Sequence, residues 1–277
     1  MMIQAMRRHW PEYLIEAMGI ALFMFIAAFA AVSFCHAESP LYPYLSGSRF
    51  LQRLLMGLAM GLTAITIVYS PLGKRSGAHI NPAITLTFLR LGKISPWDAL
   101  FYVISQFSGA LLGMNVAWIL LGDWLSAPTV NYVVTVPGTS GIIIALVAEA
   151  AISFGVMSVI LWSANLPQLA KYTGVLVGIT IITYITLESP LSGMSMNPAR
   201  TLGSAVPARV FTGLWIYFLA PLVGMYLAAE LYLRRYGADA VHCAKLYHTH
   251  DVRCIFKCGY AMEKSMHGDS PSAVDGN

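Results

Sequence analysis

The tripeptide Asn81-Pro82-Ala83 occurs a second time in this chain as Asn197-Pro198-Ala199. Each copy ends a polar loop that contains glycine, and each begins an apolar stretch too short to cross a bilayer. Asn is a strong helix N-cap, and Pro is favoured in the first helical turn because its missing N–H would be unpaired there. The repeated tripeptide therefore predicts two half-helices, beginning at Asn81 and Asn197, that meet inside a membrane.

The composition supports a membrane setting. The chain has 277 residues, of which 57% are hydrophobic and 11% charged, and its mean hydropathy is +0.65. Soluble domains usually carry about 25% charged residues. The formal net charge of +4 forms no basic patch that would suggest nucleic acid. Apolar windows long enough for spanning helices of about 20 residues predict six spans. They lie near residues 12–34, 50–70, 97–121, 142–163, 171–187 and 211–233.

Other landmarks repeat in the same order as the tripeptides. The first span of each half contains one carboxylate, Glu16 in the first half and Glu149 in the second. The second span of each half contains two glycines four residues apart, which are Gly57 and Gly61 in the first half and Gly174 and Gly178 in the second. Small residues at this spacing let membrane helices approach closely. With three spans per half, the two copies must have opposite topology. The predicted channel domain covers residues 12–235, with repeat one at about 12–121 and repeat two at about 142–235.

The basic residues predict an orientation. Nine of them share one side if six spans alternate: Arg7, Arg8, Lys74, Arg75, Arg90, Lys93, Lys171, Arg234 and Arg235. An excess of Lys and Arg marks the cytoplasmic side. We therefore expect a multi-pass protein of the inner cell membrane, with a cytoplasmic N-terminus at 1–11, an uncleaved first helix and a cytoplasmic tail at 236–277.

The segments SGAHINPAIT (76–85) and SGMSMNPAR (192–200) resemble the signature loops of the aquaporin family, also called major intrinsic proteins. The resemblance covers about residues 10–235. It implies an all-α membrane fold with six transmembrane helices and two re-entrant half-helices in an inverted repeat. It also implies a passive, bidirectional channel that needs no cofactor and assembles as a homotetramer with one pore per subunit.

The same resemblance assigns roles to individual residues. Asn81 and Asn197, within the two Asn-Pro-Ala motifs formed with Pro82, Ala83, Pro198 and Ala199, match the central hydrogen-bond donors of the pore. Arg200 matches the selectivity arginine. The other filter positions fall on Met60 or Gly61, on Ile185 and on Met194. Water-selective members usually have an aromatic residue and a His at the first two of these positions, and this chain has neither.

An apolar filter beside Arg200 predicts conduction of water, with exclusion of protons and ions and with small neutral solutes as possible further substrates. Two alternatives stay open, a facilitator for glycerol or small polyols and an ion-coupled secondary transporter. Coupling needs titratable groups beside the substrate, and only Glu16, Glu149 and Glu188 are available. An enzyme is not expected, because no Ser-His-Asp arrangement or metalloprotease motif is present.

Three polar residues are predicted to support the pore loops. Glu16 and Glu149 are intramembrane carboxylates, and we expect each to accept hydrogen bonds from the backbone of the adjoining loop. His79 is either a hydrogen-bonded loop former or a pH-sensitive gate on the cytoplasmic side, since His titrates near neutrality.

The tail at 236–277 contains several residues of the types that bind metal ions, close together in sequence: Cys243, His248, His250, Cys254 and Cys258. Disulfides are rare in a reducing cytoplasm, and Cys and His at this density can bind zinc, although the spacing is not a standard one. The alternatives are a solvated tail with free thiols, or a metal or redox sensor that gates the pore. The composition of residues 263–277 predicts disorder.

Overall fold

The computed structural model describes residues 1–260, and its described part is helical, with no strand. Within residues 1–260, six helical stretches are long and apolar enough to span a membrane, as the sequence predicts, and the fifth of them, Ala170–Leu187, includes a 3-10 turn before its α-helix. In chain order, with the two half-helices included, the principal helices are α1 (Met2–Cys35), α2 (Arg49–Tyr69), α3 (Pro82–Arg90), α4 (Pro96–Leu121), α5 (Ile142–Ala164), α6 (Thr173–Leu187), α7 (Pro198–Ala208) and α8 (Ile216–Tyr236). Short α-helices cover Tyr42–Leu45, Pro71–Ser76, Asp123–Ser126 and Ser189–Ser192, and 3-10 turns cover Asn131–Val133, Ala170–Tyr172 and Ala238–Ala240.

The long helices pack in pairs through small residues. In the first half, α1 packs along α4, where Gly109 faces the backbone of Ala17. In the second half, α5 packs along α8, where Gly224 faces the backbone of Ala150. The helix α2 of the first half packs against the helix α6 of the second half, and this contact holds the two halves together. Moving an apolar side chain from lipid into a helix interface gains little free energy, because lipid is itself apolar. The helices associate instead through van der Waals contacts, which small residues allow by letting the backbones approach closely.

The helix α1 begins at Met2, ten residues before the predicted span, so the predicted N-terminal segment 1–11 is a helical extension of that span. Polar contacts hold this extension. The Tyr13 hydroxyl donates to Asp98 at 2.6 Å, and a ring nitrogen of His9 lies 2.7 Å from the same carboxylate. Glu12 pairs with Arg75 at 3.0 Å. Hydropathy alone cannot detect a helix whose stability comes from such pairs.

After α8 the chain continues along the surface of the helical bundle. Residues 241–258, which we call the strap, fold back over the side on which α1 begins and α8 ends, which we call the terminal side. The backbone N–H of Leu246 donates to the carbonyl of Gly77, and that of Lys257 donates to Lys93. Arg253 donates to the carbonyl of Arg8 at 3.1 Å. The predicted disorder of residues 263–277 lies outside the described residues.

The packing of α1 on α4 leads to a test. A Cβ atom at Gly109 would overlap the backbone of Ala17. We expect Gly109→Val to destabilise the protein by about 2 kcal/mol, because overpacking forces the helices apart. The measurement is thermal unfolding in detergent, followed by fluorescence-detected gel filtration. The neighbouring Ser108 is exposed, so Ser108→Val is the matched control. Equal melting of the two variants would contradict the close-packing account.

Candidate pore

The two Asn-Pro-Ala motifs start the two half-helices. The side-chain oxygen of Asn81 accepts the N–H of Ala83 at 2.9 Å, and that of Asn197 accepts the N–H of Ala199 at 3.0 Å. Pro follows each Asn in the first turn. Both half-helices therefore begin with a capped N-terminus.

The two motifs also bind each other. The Asn81 amide donates to the carbonyl of Met196 at 2.8 Å, and the Asn197 amide donates to the carbonyl of Ile80 at 2.8 Å. These reciprocal bonds hold the two half-helix N-termini together. A carboxamide has two N–H groups, so one N–H of each Asn remains beyond this bond. Both Asn side chains line the central cavity.

Glu16 supports the first loop. One of its oxygens accepts the Ser76 hydroxyl at 2.8 Å and the N–H of His79 at 3.1 Å. The other accepts the N–H of Ile80 at 2.6 Å and the amide of Gln106 at 2.8 Å. The carboxylate thus satisfies donors that have no partner within the loop itself.

Glu149 supports the second loop in the same way. It accepts the Ser192 hydroxyl at 2.8 Å and the N–H groups of Ser195 and Met196 at 2.6 and 2.9 Å. A tyrosine hydroxyl secures each loop from the opposite side, Tyr102 to Ser76 and Tyr217 to Ser192. Both loops contain non-glycine residues with positive φ at equivalent positions, namely Ala78 and Ile80 in the first and Met194 and Met196 in the second. The carboxylates stabilise this strained backbone.

A single cavity of about 470 Å³ runs between the halves and past both Asn side chains. Of the predicted filter residues, Met60, Ile185, Met194 and Arg200 line it. Of the two alternatives for the first filter position, Met60 lines the cavity, and the lining does not include Gly61. A Cβ atom there would meet the carbonyl of Gly178, so Gly61 belongs to the packing of α2 on α6.

The charge of the cavity wall has one sign. Within residues 1–260, three arginines line the cavity, Arg49, Arg53 and Arg200, and no Asp or Glu does. Arg53 donates to the carbonyl of Thr186 at 3.0 Å. The Nη1 atom of Arg200 is buried and has no hydrogen-bond partner among the described residues. The wall thus offers positive charge and an unused donor.

His79 lies on the terminal side of the cavity, fully buried. Its Nε2 donates to the carbonyl of Ala244 at 2.7 Å, and its Nδ1 lies 3.0 Å from the Thr85 hydroxyl. The ring is stacked between Phe88 and Phe256. A ring that is satisfied in its neutral form and covered by the strap fits the role of loop former and does not fit a solvent-facing pH gate.

The sequence interpretation missed much of the cavity lining, including Arg49 and Arg53 and also Met56 and Leu246. Met56 lies one turn before Met60 on α2, so helical spacing could have indicated it. Leu246 belongs to the strap, and no local pattern places it at the pore.

The strap also brings metal-ligating side chains together. Donor atoms of Cys243, His248, Cys254 and Cys258 all lie within 4.8 Å of one another. His250, the fifth predicted ligand, is not in this group, because its ring packs edge-on against the His248 ring instead.

Six spans, two half-helices that meet at their N-termini and a cavity between the halves define, within residues 1–260, an inverted-repeat membrane protein. Residues 3–232 match the family model "Major intrinsic protein", and the chain belongs to that family. The structure is similar to that of the aquaglyceroporin from Plasmodium falciparum, with a TM-score of 0.67 and 23% identity over 81% of this chain and 95% of the other.

Curated relatives include plant proteins. The chain is 38% identical to the "Probable aquaporin NIP-type" of Nicotiana alata over 62% of either chain. It is 38% identical to "Aquaporin NIP1-2" of Arabidopsis thaliana over 64% of this chain and 62% of the relative. The match thus spans less than two thirds of the length of these relatives.

The carboxylate support leads to a second test. In Glu149→Gln, the new amide N–H₂ opposes a backbone N–H, so a buried donor loses its acceptor at a cost of about 1–3 kcal/mol. We expect a lower melting temperature and a lower yield of folded protein, measured by gel filtration. Glu230 is partly exposed and pairs with Arg90 at the surface, so Glu230→Gln is the control. Normal stability of Glu149→Gln with altered solute choice would refute the supporting role.

Proposed function

We propose that this protein is a passive channel for water and small neutral solutes that excludes protons and other ions. The observation that carries the proposal is the wall of the cavity: two Asn amides with a spare N–H each, three arginines and, among residues 1–260, no carboxylate. Such a wall donates hydrogen bonds to a neutral oxygen and repels cations.

The central donors in this proposal are Asn81 and Asn197. Each lies at a half-helix N-terminus, which carries the equivalent of roughly half a positive charge. A passing water molecule presents its oxygen to the two amides, while a cation meets two positive helix ends. In aquaporin-type pores, half-helix dipoles and an Arg exclude protons and cations. The cavity of this chain has both elements, the paired helix ends and Arg200.

The filter in this proposal consists of Met60, Ile185, Met194 and Arg200. Three of these four side chains are apolar, so the constriction holds one strong donor on an otherwise apolar wall. Methionine is flexible and adapts its shape to a neighbour. We therefore include glycerol-sized polyols among the solutes, beside the water suggested by relatives whose names call them aquaporins.

Ion-coupled transport is the weaker candidate. None of Glu16, Glu149 and Glu188 lines the cavity, and loop donors occupy the carboxylates of Glu16 and Glu149. A coupling site needs a carboxylate that can exchange a proton or cation beside the substrate. These two carboxylates are committed to the loops.

The proposal includes a homotetramer in the inner cell membrane with the terminal side in the cytoplasm. Two observations support this orientation. Arg75 pairs with Glu12 and Lys74 lies over the ring of Tyr247, which places both basic residues on the terminal side. Lys and Arg accumulate on the cytoplasmic side of membrane proteins.

Transport in proteoliposomes tests the channel function. We expect the purified protein to raise the rate of osmotic shrinkage, followed by stopped-flow light scattering, with an activation energy lower than that of the bare bilayer. A proton gradient across the vesicle should leave this rate unchanged. Shrinkage no faster than in empty vesicles, or solute flux that requires a proton or sodium gradient, would refute the proposal.

Solute choice can be tested at Ile185. We expect Ile185→Ala to widen the constriction and to raise glycerol flux relative to water flux by roughly threefold or more, since a few methylene groups change selectivity by this order. Ile179 lies on the outer face of the same helix and is half exposed, so Ile179→Ala is the control. An unchanged glycerol-to-water ratio in Ile185→Ala would remove Ile185 from the filter.

A further inference from the structure

We propose that Cys243, His248, Cys254 and Cys258 bind one zinc ion, and that this ion holds the strap over the terminal mouth of the pore. This inference does not depend on which solute the pore conducts.

The donor atoms already have the spacing of a metal tetrahedron. The sulfurs of Cys243 and Cys254 are 3.6 Å apart, and the sulfur of Cys258 is 3.2 Å from Nε2 of His248. With Zn–S bonds of about 2.3 Å, the sulfurs of a tetrahedral zinc site lie about 3.8 Å apart. The observed separations need only small adjustments to accept the ion.

The ligand set selects the metal. Three thiolates and one imidazole form a closed, four-coordinate set of the kind that structural zinc sites use. Soft sulfur ligands disfavour magnesium and calcium, which prefer oxygen. All four residues come from one strap segment, so the site forms within a single subunit.

The backbone around the cysteines is arranged to support thiolates. The backbone N–H groups of Lys245, Phe256 and Tyr260 each lie close to the sulfur two positions earlier in the chain, those of Cys243, Cys254 and Cys258. A neutral thiol is a weak acceptor, so N–H groups at these positions favour thiolates. Groups around the ligands that orient and stabilise them are a regular feature of metal sites.

A buried cation supplies a second, independent observation. The side chain of Lys245 is 2% exposed, and its ammonium donates to the carbonyl of Arg253 at 2.7 Å. The acidic groups near it include the three cysteines, Glu12 and Asp251. A zinc ion with three thiolates and a neutral His carries one net negative charge. A buried lysine needs a counter-charge, and this site provides it.

The same segment covers the mouth of the pore. The carbonyl of Ala244 accepts a hydrogen bond from the His79 ring, and the Phe256 ring stacks on the same His79 ring. Leu246 lines the cavity. Each of these three strap residues lies within three positions of a proposed ligand. Loss of the ion would therefore release the groups that narrow the mouth.

The first test is the metal content of the full-length protein, purified in detergent without chelator and measured by plasma mass spectrometry. We expect about one zinc per chain, as for a closed structural site. Cys254→Ser and His248→Ala should each lower the content at least about fivefold, since a closed site needs all four ligands. His250→Ala and Cys35→Ser, which change a His and a Cys outside the group, should leave it unchanged. A folded wild-type protein without zinc, or with a disulfide between Cys243 and Cys254 under reducing conditions, would overturn the proposal.

The second test uses the wild-type protein and does not depend on the variants folding. We expect trypsin to leave the strap intact with zinc present, and a strong chelator to expose cleavage after Lys245, Arg253 and Lys257. Added zinc should restore protection, and water permeability should rise when the ion is removed. Equal cleavage with and without chelator would show that no metal holds the strap.

Discussion

The structure depends on how the backbone of the two pore loops is satisfied at membrane depth. Where helices are broken inside a bilayer, the freed N–H groups need partners that neither lipid nor the loop itself provides. Glu16 and Glu149 supply them from the first helix of each half, and each carboxylate accepts at least three hydrogen bonds. With these donors paired, the Asn amides are free to bridge the two halves and face the cavity.

The two halves use the same hydrogen-bonding arrangement, but they do not have the same residue at every position in it. Thr85 and Thr201 each contact the residue two positions before the Asn of their own motif, a His in the first loop and Ser195 in the second. The smaller Ser195 forms its hydroxyl hydrogen bonds with Asn197 and Thr201, close to it in sequence. The larger His79 extends beyond the loop and reaches a carbonyl of the strap. One substitution between the repeats thus links the first loop to the tail.

Much of this architecture could be predicted from the sequence, because it is encoded locally. An Asn-Pro-Ala tripeptide indicates the start of a helix, and an apolar stretch of about 20 residues indicates a membrane span. What the sequence left open or missed has a different cause. Counting along the chain cannot choose between Met60 and Gly61 for the filter, because the packing of α2 on α6 decides which face a helical residue presents. The extended α1 and the docked strap depend on polar contacts between residues far apart in sequence, such as Glu12 with Arg75, which no local pattern reveals.

The inverted repeat gives the pore two related mouths, and the chain makes them different. At equivalent places in the half-helices, the second half has Arg200 and the first has Ile84, and both line the cavity. The one charged side chain of the proposed filter therefore comes from the second half. The terminal mouth receives instead the apolar side chain of Leu246, carried by the strap. Since the strap folds back on the terminal side, the proposed channel would recognise solute at one mouth and would have the other mouth covered by the strap.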